Sequence, residues 1–250
     1  MTEWAIETIG LTKSFGGFMA VKDVNLRVRK NALHALIGPN GAGKTTVFNL
    51  LTKYHMPTNG RILIAGEDVT SFSPAAIARS GVSRSFQISS VFPHLTALEN
   101  VRVALQRKLG TQYSFWISDK SLNRLNQRAW ELLASVGLEG REDSLAADLP
   151  YGRKRALEIA TTLATDPQIL LLDEPMAGLG VEDIERISEL VRSVAKGRTV
   201  VMVEHNLRVV ANLCDRITVL QRGRILTEGS YAEVSADPAV VEAYMGSGHE

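Results

Sequence analysis

Residues 4–28 alternate apolar and polar positions in short runs broken at Gly16-Gly17, and the alternation returns over residues 61–65. A period of two belongs to half-buried strands, so these stretches predict a small antiparallel sheet beside the core. The apolar run 33–37 predicts a strand with a helix after it, from Lys44 to about Leu51. Residues 169–172 and 199–203 are apolar without alternation, as in parallel strands buried on both faces. Residues 74–79 predict a short helix, and residues 82–86 a strand that ends at Gln87. From residue 90 to about 166 the character changes. Residues 96–109 and 122–136 carry helical periodicity, and another helix runs from the 149–155 segment to about Thr165 before Asp166-Pro167, so this part is expected as a helical insertion. Tyr113, Phe115 and Trp116 lie in the polar connection between its first two helices, where they pack locally or form an exposed patch. Residues 207–213 predict a helix, 217–220 a strand, Arg222-Gly223-Arg224 a hairpin turn into 225–227, and 231–245 short helices.

Composition narrows the picture modestly. A chain of 250 residues with 45% hydrophobic content is expected to form one large domain. The boundaries expected are a core over 1–89 and 167–250, with a helical part over 90–166. Lys and Arg number 28 against 27 acidic residues, a balance that gives no support to a nucleic-acid partner. The single cysteine, Cys214, excludes an internal disulfide, fits a reducing compartment and is expected to pack as a small apolar group. No basic-then-apolar leader opens the chain and no apolar run is long enough to span a bilayer. The expectation is a soluble protein whose membrane role, if any, comes through a partner.

The chemistry concentrates at the ends of the apolar strands. Gly38-Pro39-Asn40-Gly41-Ala42-Gly43-Lys44-Thr45-Thr46 fits the phosphate-loop pattern G-x-x-x-x-G-K-[ST], with a strand before it and a helix after. Its glycines let backbone N–H groups turn toward phosphates, Lys44 reaches the terminal phosphates, and Thr45 holds Mg²⁺ through its hydroxyl. Asp173-Glu174 close the 169–172 run, where Asp173 is the expected outer ligand of Mg²⁺ and Glu174 the acceptor of a proton from attacking water. One of these acids capping the next helix is the blander alternative. Glu204-His205 follow the 199–203 strand, and His205 there either reaches the terminal phosphate or serves as a structural hydrogen-bond partner. Phe15 and Phe18 flank the Gly-Gly turn, so Phe15 either stacks on a nucleotide base or caps a core.

The order of phosphate loop, Gln87 after a strand, Leu149-Pro150-Tyr151-Gly152-Arg153 opening a helix, Asp173-Glu174 and His205 resembles that of ABC transporter ATPase subunits over essentially the whole chain. The Tyr151 to Arg155 stretch, the Ala177-Gly178-Leu179 turn, the helical insertion and the ending Glu242-Ala243-Tyr244-Met245-Gly246 resemble the branched-chain amino-acid uptake ATPases. The resemblance implies an α/β phosphate-loop NTPase core with a small antiparallel β-subdomain and an inserted helical subdomain. It also implies ATP and Mg²⁺ as cofactors, with Gln87 sensing Mg²⁺, the attacking water and the membrane partner, and His205 contacting the γ-phosphate. Residues 149–153 match the signature that caps the ATP of the opposite subunit, so two ATPs lie between two chains. Expected partners are permease subunits, a second ATPase subunit in a homodimer or related heterodimer, and indirectly a solute-binding protein, with this chain on the cytoplasmic face of the cell membrane. Pro150 stands where the signature has serine, Gly180 where the loop after the carboxylates has aspartate, and Phe15 where the family has tyrosine. Urea, amides and aromatic acids are alternative cargoes. A non-transport ABC ATPase of DNA repair or translation, or a phosphate-loop kinase, is the alternative class.

Overall fold

The computed structural model describes residues 3–85, 91–109 and 123–245. Gln87, the aromatic group Tyr113, Phe115 and Trp116, and Gly246 lie outside the described residues. The chain divides into two compact units, one of Met1–Arg84, Gln168–Met176 and Arg192–Glu250, the other of Ser85–Pro167 and Ala177–Val191. The turn and helix after the strand-end carboxylates therefore group mostly with the helices, whereas the sequence boundaries count 167–250 whole with the core.

The first unit contains two sheets. Strands β1 (Trp4–Phe15), β2 (Phe18–Val24) and β3 (Arg27–Arg29) are followed by β4 (Leu33–Ile37), helix α1 (Lys44–Leu51), β5 (Asn59–Ile64), β6 (Glu67–Asp68), α2 (Pro74–Arg79) and β7 (Val82–Ser85). The alternating segments form a sheet of order β2-β1-β5-β6, with β3 also on β1 and antiparallel pairings throughout. Ser73 caps α2 through its side chain, with Pro74 at the first helical position, where its missing N–H costs nothing.

The second unit holds α3 (Ala97–Leu109), α4 (Asn126–Ser135) and α5 (Tyr151–Leu163). The chain returns to the first unit as β8 (Ile169–Asp173), forms α6 (Val181–Val194), most of which groups with the second unit, and continues in the first as β9 (Thr199–Val203), α7 (Leu207–Leu213), β10 (Arg216–Gln221), β11 (Arg224–Gly229), α8 (Tyr231–Ala236) and α9 (Pro238–Met245). The sequence reading assigns no element over α6. Its buried stripe, Ile187, Leu190, Val191 and Val194, nevertheless follows the helical period.

The second sheet has the order β11-β10-β4-β9-β8-β7, with the pairs β10–β4, β4–β9 and β9–β8 parallel and β11 antiparallel to β10. All residues of β4, β8 and β9 are buried, which is why they read as nearly unbroken apolar runs. Their carboxyl ends deliver the phosphate loop, Asp173-Glu174 and Glu204-His205. Phe48, Leu50 and Leu51 of α1 are fully buried in the core that also holds Leu36, Leu171 and Val203, so the loop's helix is fixed from behind. Cys214 is half-buried with Sγ 3.6 Å from Met202 Sδ, and burial pushes its thiol pKa well up.

Candidate functional site

The phosphate loop is fixed by close backbone approach. Gly38 has φ 147°, and a Cβ there would lie 2.1 Å from the Leu220 carbonyl oxygen, so a side chain would collide with main chain rather than with a movable group. Gly43 precedes α1 without a side-chain cap, which leaves the first N–H groups of the helix to an anion. Lys44, 6% exposed, folds over the loop and donates from Nζ to the carbonyls of Gly38 at 2.6 Å and Pro39 at 3.0 Å. Burial lowers its pKa, and the carboxylates of Glu174 and Asp173 oppose that shift. Both acids thus act electrostatically on the lysine across the cleft.

That cleft holds about 300 Å³ and is lined by residues 40–46, comprising Asn40, Gly41, Ala42, Gly43, Lys44, Thr45 and Thr46, together with Phe18, Ala20, Glu174 and His205. The expected phosphate-binding residues therefore share one concavity with the two strand-end side chains. His205 Nε2 and Glu174 Oε1 are 2.9 Å apart. A carboxylate can only accept, so Nε2–H is the donor. Glu174 itself has φ 48°, uncommon for a residue with a Cβ, and its N–H donates to Val203 O at 2.9 Å. It is therefore not an ordinary helix cap but a side chain turned by local backbone strain.

Phe15 is not among the residues lining the cleft. Its ring lies edge-on to His55 with centroids 5.1 Å apart, and Lys13 Nζ is 4.9 Å from its centroid, so the hairpin ring finds local partners. Phe18, on the other arm of the hairpin and 67% exposed, lines the cleft instead.

Asp173 ends β8 with its side chain 1% exposed. Its Oδ2 accepts a hydrogen bond from Arg84 Nη2, while Oδ1 is buried with no hydrogen-bond partner among the described residues. An orphaned buried carboxylate oxygen beside a phosphate loop fits the acidic contribution to a Mg²⁺ site, because Mg²⁺ takes one or two carboxylates and completes its shell with water and phosphate. The described residues contain no cluster of three or more His, Cys, Asp or Glu able to hold a metal without such help.

Residues 149–153, the segment that resembles the signature, lie in the second unit. Leu149 is buried, Pro150 sits at the N-cap of α5 without a side-chain cap bond, and its carbonyl accepts from Arg153 N and Lys154 N, both at 2.9 Å. Tyr151 is half exposed and Arg153 partly so. Gly152 is buried against the helix after the Gly180 turn, where a Cβ would come within 2.4 Å of the Asp183 carboxylate. Arg155 is also buried, paired with Glu158 at 2.7 Å, so the basic residues here do not form one wet face. A cleft of about 460 Å³ adjoins the segment, with Arg141, Asp148, Leu149, Pro150 and Arg153 among its walls.

The contacts of three residues around the candidate site escape sequence reasoning. Arg84 and Asn49 form a contact group with Asp173, and only a charge inside a predicted strand hinted at it. Glu204 is 3% exposed; its Oε1 accepts from Met176 N at 2.9 Å and its Oε2 from His205 N at 3.1 Å and Asn206 N at 3.3 Å. It clamps the loop after Glu174 to the turn carrying His205. Burial raises its pKa, and the three N–H donors oppose the rise.

With this geometry the comparisons with known proteins agree. The family described as "ABC transporter" matches residues 21–177, and that described as "Branched-chain amino acid ATP-binding cassette transporter" matches residues 224–250. The high-affinity branched-chain amino acid transport ATP-binding protein BraF of Pseudomonas aeruginosa is 38% identical, covering 98% of this chain and 99% of its own length. The crystal structure of the ADP conformation of MJ1267, an ATP-binding cassette of an ABC transporter, matches with a TM-score of 0.86 and 29% identity over 98% of this chain and all of that one. The dimeric structure of MJ0796, a bacterial ABC transporter cassette, matches with a TM-score of 0.76 and 29% identity over 90% of this chain and 98% of that one. The phosphate loop, the strand-end acids and these matches together make the chain a member of the ABC transporter family, an ATP-binding subunit resembling those of branched-chain amino-acid uptake.

Proposed function

We propose that this chain binds and hydrolyses ATP as one subunit of a dimer on the cytoplasmic face of the cell membrane, and so drives import of branched-chain amino acids through a permease. The observation that carries the reading is the cleft in which residues 40–46, Glu174 and His205 converge. Backbone N–H groups of the loop and of the start of α1 hold the phosphates. Lys44 exchanges its carbonyl partners for phosphate oxygens, a stronger, charge-assisted pairing. Thr45, Asp173 and Gln87 would hold Mg²⁺, which supplies charge neutralisation on the β- and γ-phosphate oxygens when bound. Glu174 accepts a proton from the attacking water, and His205 Nε2–H orients that carboxylate until the γ-phosphate takes over the contact. The work of this chain is thus positioning and fixed electrostatics.

Residues 149–153 cap the nucleotide of a second copy or a close relative, as befits similarity to a cassette whose structure is dimeric. Pro150 offers no hydroxyl, so the capping falls to the N–H groups at the start of α5 and to Arg153. No described helix is long and apolar enough to cross a membrane, so contact with the cargo belongs to the permease. Similarity to BraF supports branched-chain amino acids as that cargo.

The test is uptake of labelled leucine, isoleucine and valine in cells carrying wild type or Glu174→Gln. The variant is expected to keep ATP affinity, lose at least about a hundredfold in turnover and abolish ATP-dependent uptake of all three. Near-normal hydrolysis by purified Glu174→Gln would remove the base assignment. Loss of urea, amide or aromatic-acid uptake in place of these three would retain the ATPase and reassign the cargo.

A further inference from the structure

The environment of Asp173 contains a second cation besides Lys44. Arg84, in β7 with 9% of its side chain exposed, donates from Nη2 to Asp173 Oδ2 and from Nη1 to Asn49 Oδ1 at 2.6 Å. Its guanidinium carbon lies 5.6 Å from the centroid of the Phe48 ring. Phe48 and Asn49 belong to α1, the helix that begins with Lys44 and Thr45. One planar, permanently charged group thus joins the helix behind the phosphate loop to the carboxylate at the end of β8, through the fork geometry that arginine has and lysine lacks.

The two oxygens of Asp173 are left unequal: Oδ2 is held by Arg84, and Oδ1 is buried with no hydrogen-bond partner among the described residues. An arginine in this place acts on nucleotide in two ways. It offsets the charge of Asp173, which otherwise repels a metal-free triphosphate, and it draws on the same carboxylate that Mg²⁺ needs. Both effects make binding of the metal-free nucleotide and of its Mg²⁺ complex more alike.

We propose that Arg84 is a positioning residue that sets how strongly nucleotide binding depends on Mg²⁺, by holding one oxygen of Asp173 and leaving the other to the metal. The proposal rests on the reading of the cleft as an ATP–Mg²⁺ site. Removing the guanidinium exposes a full negative charge to the phosphates and to the metal. Metal-free ATP then binds more weakly, and the Mg²⁺ complex gains relative to it.

The experiment is calorimetric titration of the purified full chain with ATP, in Mg²⁺ and in excess EDTA, for wild type and Arg84→Gln. The quantity read is the ratio of the metal-free Kd to the Mg²⁺ Kd. Arg84→Gln is expected to raise it at least about tenfold, since the loss of one unit charge several ångströms away exceeds that scale at the effective dielectric of a protein site. An arginine that merely braces β7 against α1 changes both constants by a common factor, so an unchanged ratio in a cooperatively folded variant overturns the proposal. Asn49→Ala, which keeps the charge and removes its anchor on α1, is the second variant, with an expected rise of about threefold. It decides the matter if Arg84→Gln does not fold, an unchanged ratio again overturning the proposal. Wild type that binds ATP in neither condition refutes the ATP–Mg²⁺ reading itself. A wild-type Mg²⁺ effect that the variants leave intact refutes only the role of Arg84.

Discussion

At the scale of single residues, the separation between Glu174 and His205 is set by a third acid. Glu204 gathers three backbone N–H groups at the cleft edge, and that of the buried Met176 would otherwise be a buried donor without this acceptor. Glutamine in its place offers one acceptor oxygen and turns an amide N–H₂ toward N–H groups. Glu204→Gln is therefore expected to cost about 1–3 kcal/mol of stability, seen as a lower urea midpoint. Because the clamp positions Glu174 and His205 rather than the phosphates, kcat should fall about tenfold or more while nucleotide Kd stays within about twofold. A variant that loses affinity and turnover together would show that Glu204 supports the phosphate loop instead.

At the scale of elements, β4, β10 and β11 are stitched together by a buried polar chain. His34 Nε2 lies 2.8 Å from Thr218 Oγ1, and Thr218 Oγ1 donates to Glu228 Oε2 at 2.8 Å, with Arg216 Nε on Glu228 Oε1 at 2.6 Å. The hydroxyl has one proton and gives it to Glu228, so Nε2–H must donate to Thr218, which fixes the tautomer of His34. Burial pushes the imidazole pKa from 6.5 down to about 4, with Glu228 and Asp215 opposing and Arg216 adding to the fall. Between these values the unfolded chain binds the proton and the folded chain does not. The stability present above about pH 6.5 is therefore lost as the pH falls toward 4, by on the order of 2–3 kcal/mol. Urea unfolding of wild type at pH 7.5 and pH 4.5 should show this loss, and His34→Gln should show a smaller one by that amount. Equal losses in the two proteins would mean that another group governs the acid limb.

At the scale of the whole molecule, one copy holds a phosphate-loop cleft and a signature segment that the proposed function uses on different nucleotides. Such a two-fold arrangement predicts complementation. Gly152 is unsuited to the experiment, because any side chain there meets Asp183 and disturbs the packing of its own unit. Arg153→Glu reverses a partly exposed charge instead. Lys44→Ala should lose ATP affinity and Arg153→Glu should lose turnover. Their equimolar mixture should return about a quarter of wild-type turnover, since half of randomly paired dimers keep one intact site of two. Mixed dimers that form and remain inactive would end the shared-site geometry.

What the sequence determined by itself is whatever local pattern encodes. The period of two gave the antiparallel strands, apolar runs gave the buried parallel ones, and the glycine-rich loop with its Lys-Thr marked the start of α1. The acids at strand ends were legible because a parallel sheet gathers its ligands there. Helix α6 was equally encoded, in the spacing of Ile187, Leu190, Val191 and Val194, and went unassigned beside the acids and the glycine turn that precede it. The tertiary structure decided the partners. Arg84 and Asp173 stand 89 residues apart, and His34 and Thr218 stand 184 apart. No periodicity spans such separations, because the pattern fixes which face of an element is buried but not which side chain meets it across the sheet. The choice of Phe18 over Phe15 as a cleft residue, the hold of Arg84 on one oxygen of Asp173, and the clamp of Glu204 follow only when separate strands are brought edge to edge. Buried polar groups must then take whichever partner lies within hydrogen-bond reach.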